Sequence, residues 1–129
     1  MSTHSTIAMM TENGLIGVYC HFDGYISGVG KTLFENYSDE TKLKKLIAEG
    51  SISSLGKRIG TKHSFDDRPE NETTFYHRDR GEKLRINYFL NKRQILIDMD
   101  DCDYFYVYEN GEWEVSKYGE QFKKLSELV

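Results

Sequence analysis

At 129 residues, 38% hydrophobic and 13% aromatic, the chain is long enough to bury one core and is expected to form a single domain over residues 1–129. Its net charge of −4 argues against non-specific attraction to nucleic acid, which needs a basic footprint, while leaving room for a local basic patch. No apolar run nears the roughly 20 residues that span a bilayer, no signal-peptide pattern opens the chain, and the two cysteines have no C-x-x-C spacing, so a soluble, reduced, cytosolic protein without membrane association is expected.

In chain order, the first element is a hairpin. Asn13-Gly14 tolerates the positive φ angles of a two-residue type I′ turn, so residues 5–11 and 15–23 are predicted to pair. Such a turn sets Glu12 opposite Leu15. Ile7 and Met9 then share a core face with Ile16, Val18, Cys20 and Phe22. The opposite face carries His4, Thr6, Ala8, Tyr19, His21 and Asp23, with His21 opposite Thr6 and Asp23 opposite His4. After a turn at Asp23-Gly24-Tyr25, the apolar residues Val29, Leu33, Phe34 and Tyr37 suit a short helix. Ser38 is a candidate N-cap for a second helix with the stripe Leu43, Leu46 and Ile47, and Gly50 is its C′ residue. Ile52 and Leu55 suit a short turn tucked onto the core.

Residues 57–82 hold few aliphatic and many charged side chains, and only 73–77 resembles a strand. A long irregular stretch inside a domain tends to be functional or mobile. Residues 84–90 alternate, with Leu84, Ile86, Tyr88 and Leu90 on one side of a predicted strand. Residues 91–100 suit either a strand or a short helix, and a helix capped by Asn91 is the preferred reading. Asn110-Gly111 predicts a second hairpin that pairs Tyr108 with Trp113 and Tyr106 with Val115. Phe122, Leu125 and Leu128 stand at helical spacing near the end. The whole predicts an α+β fold: an antiparallel sheet built from hairpins, with two or three helices packed on one face.

Three motifs tempt and fail on spacing. Gly28-Val29-Gly30-Lys31-Thr32 imitates the end of a phosphate-binding loop, but position 25 is Tyr and Gly24 lies one residue too early. Ile95-Leu96-Ile97-Asp98 is no adequate partner strand for it, so the glycines are expected to shape a helix entry. Asp98, Asp100, Asp101 and Asp103 crowd together, yet a calcium loop would put Cys102 at position five and Asp103 where glycine is needed. A solvated acidic connector is the better reading. Cys20, Cys102 and the histidines match no zinc template, and Cys20 reads as a buried thiol. No metal or cofactor is implied.

The polar face of the first hairpin is the stronger case. Tyr19, His21 and Asp23 alternate along one strand and project together. His63-Ser64-Phe65-Asp66 and His77-Arg78-Asp79-Arg80 supply further charge. A histidine beside an aspartate can act as an oriented base. Two arginines beside an acid can hold a phosphate or carboxylate. The plainer alternative is the wetted face that many antiparallel sheets carry.

These blocks carry a resemblance. Met1-Ser2-Thr3-His4-Ser5-Thr6-Ile7, Tyr19-Cys20-His21-Phe22-Asp23-Gly24-Tyr25, Gly28-Val29-Gly30, Ser53-Ser54-Leu55-Gly56, His63-Ser64-Phe65-Asp66 and Arg78-Asp79-Arg80-Gly81-Glu82 follow in order over the first two-thirds of the chain. In this the chain resembles a widespread set of small phage and prophage proteins of uncharacterised activity. His4 departs from the arginine expected there, and Ile26-Ser27 from a proline-acidic pair. The resemblance implies a phage context and one shared binding site made of Tyr19, His21, Asp23, Tyr25, His63, Asp66, Arg78, Asp79 and Arg80. The expected function is a phage accessory protein in the host cytoplasm that binds and modulates a host or host-defence component, a protein or a small anionic ligand. The alternative is a small enzyme acting on a phosphate-containing substrate. There His21 would be the base, Asp23 its orienter, Arg78 and Arg80 the anion clamp, and His63 a further catalytic candidate.

Overall fold

The computed structural model describes residues 2–129. Eight strands form one mixed sheet: β1 (Ser5–Thr11), β2 (Gly14–Cys20), β3 (Ile52–Ser54), β4 (Thr74–Phe75), β5 (Asn87–Phe89), β6 (Tyr104–Glu109), β7 (Glu112–Lys117) and β8 (Lys123–Lys124). The order across the sheet is β4-β3-β2-β1-β6-β7-β8, with β5 beside β2. Four helices accompany it: α1 (Lys31–Asn36), α2 (Glu40–Ala48), α3 (Tyr76–Arg80) and α4 (Lys92–Asp98). The α+β architecture expected from the sequence is present. Two junctions are parallel, β1 with β6 and β2 with β3. The second follows from the helical crossover through α1 and α2, because a chain returning by helices re-enters a sheet in the direction it left.

Both faces of the sheet are covered. On one, Leu33 of α1 and Leu43, Leu46 and Ile47 of α2 bury against Ile7, Met9, Val18, Cys20 and Tyr106. Full burial of each such aliphatic contributes about 1.5–3 kcal/mol. The polar ends of the buried aromatics find carbonyl partners. Tyr106 donates to Gly24 (2.6 Å), Tyr108 to Ser38 (2.8 Å), Tyr37 to Gly56 (2.7 Å) and Trp113 to Tyr37 (3.2 Å). These four bonds tie the crossover to the sheet. On the opposite face, Ile95 and Met99 pack on Ala8, Leu15, Phe105 and Val107, so α4 lies across the sheet from α1 and α2. The face expected to be wet is therefore half core, with Thr6 fully buried and its hydroxyl 3.3 Å from Cys102 Sγ.

Several local expectations need correction. The first turn is made by Glu12 and Asn13, with the positive φ (+116°) at Gly14, which opens β2 opposite Thr11. Thr11 stabilises this tighter form: its hydroxyl donates to the Gly14 carbonyl (2.7 Å) and accepts from Asn13 N–H (3.2 Å). Leu15 therefore faces Met10 and not Glu12. The slip is two residues, so every side chain keeps its face. The α2 cap is Asp39, which accepts from Thr41 N–H, while Ser38 bonds back to Phe34. Residues 73–77 give two strand residues and then turn into α3. In β5 the parity is inverted: Phe89 is buried while Tyr88 and Leu90 are 74% and 83% exposed. The chain end forms β8 and a single 3-10 turn (Leu125–Glu127) in place of a helix. The second hairpin has the expected register and the type I′ signature, positive φ at both Asn110 and Gly111. Asn91 caps α4 by accepting from Gln94 N–H.

Candidate functional site

The candidate residues separate into three groups. Arg78, Asp79 and His63 form an internal brace. The Asp79 carboxylate is fully buried and accepts from Phe75 N–H (2.8 Å), His63 N–H (3.1 Å), Arg78 Nε (2.9 Å) and Arg78 Nη2 (3.1 Å). Burial pushes its pKa up. The Arg78 guanidinium and the two backbone donors outweigh this and hold the carboxyl below its usual range. Arg78 also donates to the carbonyls of Thr73 (2.9 Å), Ile59 (3.0 Å) and Gly60 (3.2 Å). Its five N–H donors are thus all engaged within the protein. His63 donates from Nδ1 to the Thr61 carbonyl (2.9 Å), and its Nε2 lies 3.1 Å from the Thr74 hydroxyl and 3.7 Å from the Asp79 carboxylate. This brace fastens the 57–73 excursion to β4 and α3. It corrects the expected anion clamp, because Arg78 has no donor left for a ligand, and it turns both ring nitrogens of His63 toward partners within the protein.

His4, Tyr19 and His21 form the second group, where β1 begins and β2 ends. The Tyr19 hydroxyl lies 2.9 Å from His4 Nδ1 and 2.8 Å from His21 Nδ1, and His4 Nδ1 lies 2.9 Å from the His21 carbonyl. That carbonyl can only accept, so His4 Nδ1 carries a proton. Tyr19 then donates to His21 Nδ1. Burial, His4 and the Arg68 charge lower the His21 pKa, and burial raises that of the Tyr19 phenol. The accepting nitrogen of His21 is thus already occupied by the Tyr19 hydroxyl. Asp23 does not orient it. Its backbone enters the left-handed region (φ +57°), and its carboxylate accepts from the Tyr25 hydroxyl (3.2 Å). The oriented His21–Asp23 base is therefore not assembled.

Gly28 and Gly30 shape the helix entry. A Cβ at Gly28 would stand 2.4 Å from the Asp23 carbonyl, and one at Gly30 would stand 3.1 Å from the Tyr106 hydroxyl. Their close approach, and not a phosphate, accounts for the glycines.

The third group surrounds a groove of about 500 Å³ lined by Tyr19, Ser51, residues 83–87, Met99 and Asp101. Gly50, at φ +85°, brings the Arg85 backbone close: a Cβ there would lie 3.1 Å from the Arg85 carbonyl and 2.8 Å from Leu84. A second recess of about 180 Å³ shares Tyr19, Ser51, Lys83 and Arg85 and reaches Tyr76 and Glu82. Lys83 and Arg85 form no ion pair among the described residues. Two uncompensated cations beside an amide, a hydroxyl and tyrosine rings suit an anionic group. Of the expected residues only Tyr19 lines this groove. Arg80 lies beyond it, paired to Glu82 at 2.8 Å, and Asp66 and Tyr25 are exposed. Ser51, Tyr76, Lys83, Arg85 and Asn87 were missed, although the parity of Lys83, Arg85 and Asn87 along 83–87 was the available signal.

Among the described residues no cluster of three or more His, Cys, Asp or Glu is arranged to hold a metal ion. No helix is long and apolar enough to cross a membrane. Fold and groove together define an α+β domain with both sheet faces covered and a cationic groove against one of them. No protein-family model matches this chain, and no curated protein or solved structure matches it.

Proposed function

We propose that the chain is a phage accessory protein that binds and modulates a component of the infected host cell, and that the groove over Tyr19 is its recognition site for an anionic group, a carboxylate or phosphate. The observation that carries this reading is the contrast between the two sets of cations. Arg78 is consumed by the Asp79 brace, while Lys83 and Arg85 stand at an open groove of ligand-site volume with no acid paired to them. The binding reading is preferred to the enzyme alternative because His21 is hydrogen-bonded to Tyr19, while Asp23 accepts from Tyr25. Titrating isotope-labelled protein with tripolyphosphate is expected to shift the amide resonances of Ser51, Lys83, Arg85 and Asn87. The Lys83→Glu/Arg85→Glu variant is expected to show no shift and to release any host component held by the wild type. Unmoved groove resonances in the folded wild-type protein would overturn the assignment.

A further inference from the structure

Beside the groove, aromatic rings and guanidinium groups alternate along one line, with Phe22, Arg68 and Arg80 exposed and Phe65 and Tyr76 half-buried. Phe22, 37% exposed, comes first. The Arg68 guanidinium follows, 5.8 Å from the Phe22 ring and 4.7 Å from Phe65. Arg80 covers Phe65 at 4.8 Å and stands 5.8 Å from Tyr76. Phe65 and Tyr76 are themselves 5.5 Å apart. Tyr76 lines the recess that holds Lys83 and Arg85, so ladder and groove are continuous.

The ladder has a fixed end and an available charge. Arg68 donates to the Ser53 and Ser54 hydroxyls, both at 3.0 Å, and meets no carboxylate within ion-pair distance among the described residues. With Lys83 and Arg85 it makes three uncompensated cations on one surface. Arg80 is held by Glu82, an exposed pair that contributes little and yields readily to a competing phosphate. The acids nearby are Asp66 and Asp67 on the same loop, Glu82 in the recess and Asp101 lining the groove.

Resting on the reading of the groove as an anion site, we infer that this surface binds a short segment of single-stranded nucleic acid, with phosphates at Arg68, Lys83 and Arg85 and bases stacked on the Phe22, Phe65, Arg80 and Tyr76 ladder. Rings interleaved with cations match the alternation of base and phosphate along a strand. Guanidinium planes accept a base as well as rings do. An acidic peptide would use the cations and leave the rings idle. A duplex keeps its base faces inside and offers the ladder nothing. The binding is local, which reconciles it with the net charge of −4.

Fluorescence anisotropy of a short labelled oligo-dT or oligo-U tests this at low and moderate salt. Saturable binding is expected, with log K falling against log salt at a slope near −2, the value for about three neutralised phosphates on a single strand. Phe22→Ala, at the exposed end, is expected to weaken binding by about tenfold, the scale of one lost stack. Arg68→Gln, which keeps a donor for the serines, is expected to reduce the salt slope. Duplex DNA and poly-glutamate are expected to compete poorly. Equal competition by poly-glutamate, or binding unchanged in both ladder variants, would overturn the inference. If no oligonucleotide binds while tripolyphosphate still shifts the groove resonances, the inference falls and the groove reading stands. If neither ligand binds, both fall.

Discussion

Asp79→Asn tests the claim that 57–73 is held by a buried charge pair. Asparagine is the same size but carries one accepting oxygen, where the carboxylate serves four donors through two. Its amide would point two N–H groups at donors of Arg78 or Phe75. Breaking a buried ion pair from one side costs about 3–5 kcal/mol. Arg78 keeps its bonds to Thr73, Ile59 and Gly60, so the lower end, about 3 kcal/mol, is expected. At about 4 °C per kcal/mol for a chain of this size, that lowers Tm by about 12 °C. The pH dependence has a definite sign. Because the folded carboxyl titrates below its ordinary value, its stabilisation is complete above about pH 4 and is lost as pH falls through the depressed folded value. The gap between wild type and variant should therefore close in acid. Urea unfolding at several pH values measures it. Limited trypsin digestion adds a local readout, because Lys57, Arg58 and Lys62 are exposed and should be cut faster once the excursion is released. A loss under about 1 kcal/mol with unchanged cleavage would show that the excursion is held by something other than this brace.

Two further outcomes follow from the same geometry. His21 should titrate below 6.5 by NMR, because burial first and then His4 and the Arg68 charge disfavour its charged form; since the folded pKa is depressed, the wild type should lose stability as pH falls below about 6.5, and a His21 pKa at or above 6.5 would refute this account of its surroundings. Gly28→Ala should lose about 1–3 kcal/mol in urea unfolding, because its Cβ meets a backbone oxygen that cannot rotate away, whereas Gly81→Ala, with open space around it, should show only the cost of its positive φ; equal losses would refute the close-approach account of Gly28.

Local chemistry was legible where one interaction decides the outcome. Asn110-Gly111 fixes its hairpin because both residues take the positive φ that its two-residue turn demands. Asn91 and Gly50 bound their helices by the same logic. At Asn13-Gly14 a second local bond intervened, the Thr11 hydroxyl, and it moved the turn by one residue. The faces survived because strand periodicity is two. What the pattern could not carry was which elements cover each face. Thr6, Ala8 and Tyr19 read as a wetted row, yet residues more than seventy positions downstream cover the first two, Cys102 at Thr6 and Ile95 of α4 at Ala8. Likewise Tyr88 and Leu90 fit the alternation of a buried strand but point outward, since Phe89 is the residue that meets the second core.

The site shows the same division in sharper form. Residue type alone placed Arg78 and Arg80 together as anion ligands, because adjacent arginines beside an acid have that chemistry. Whether a guanidinium is available depends on its acceptors, and those of Arg78 come from residues 59, 60 and 73, which no spacing within 78–80 reveals. The acid that made the pair look like a clamp is the group that disables it. Lys83 and Arg85 drew no attention since the apolar residues beside them explained that stretch as a strand. Yet they stand unpaired at the groove, because the nearby acid Glu82 is taken by Arg80 and the backbone there runs close to Gly50. Which charges the fold leaves available at the candidate groove is thus set by long-range hydrogen bonding and is invisible to any local window of sequence.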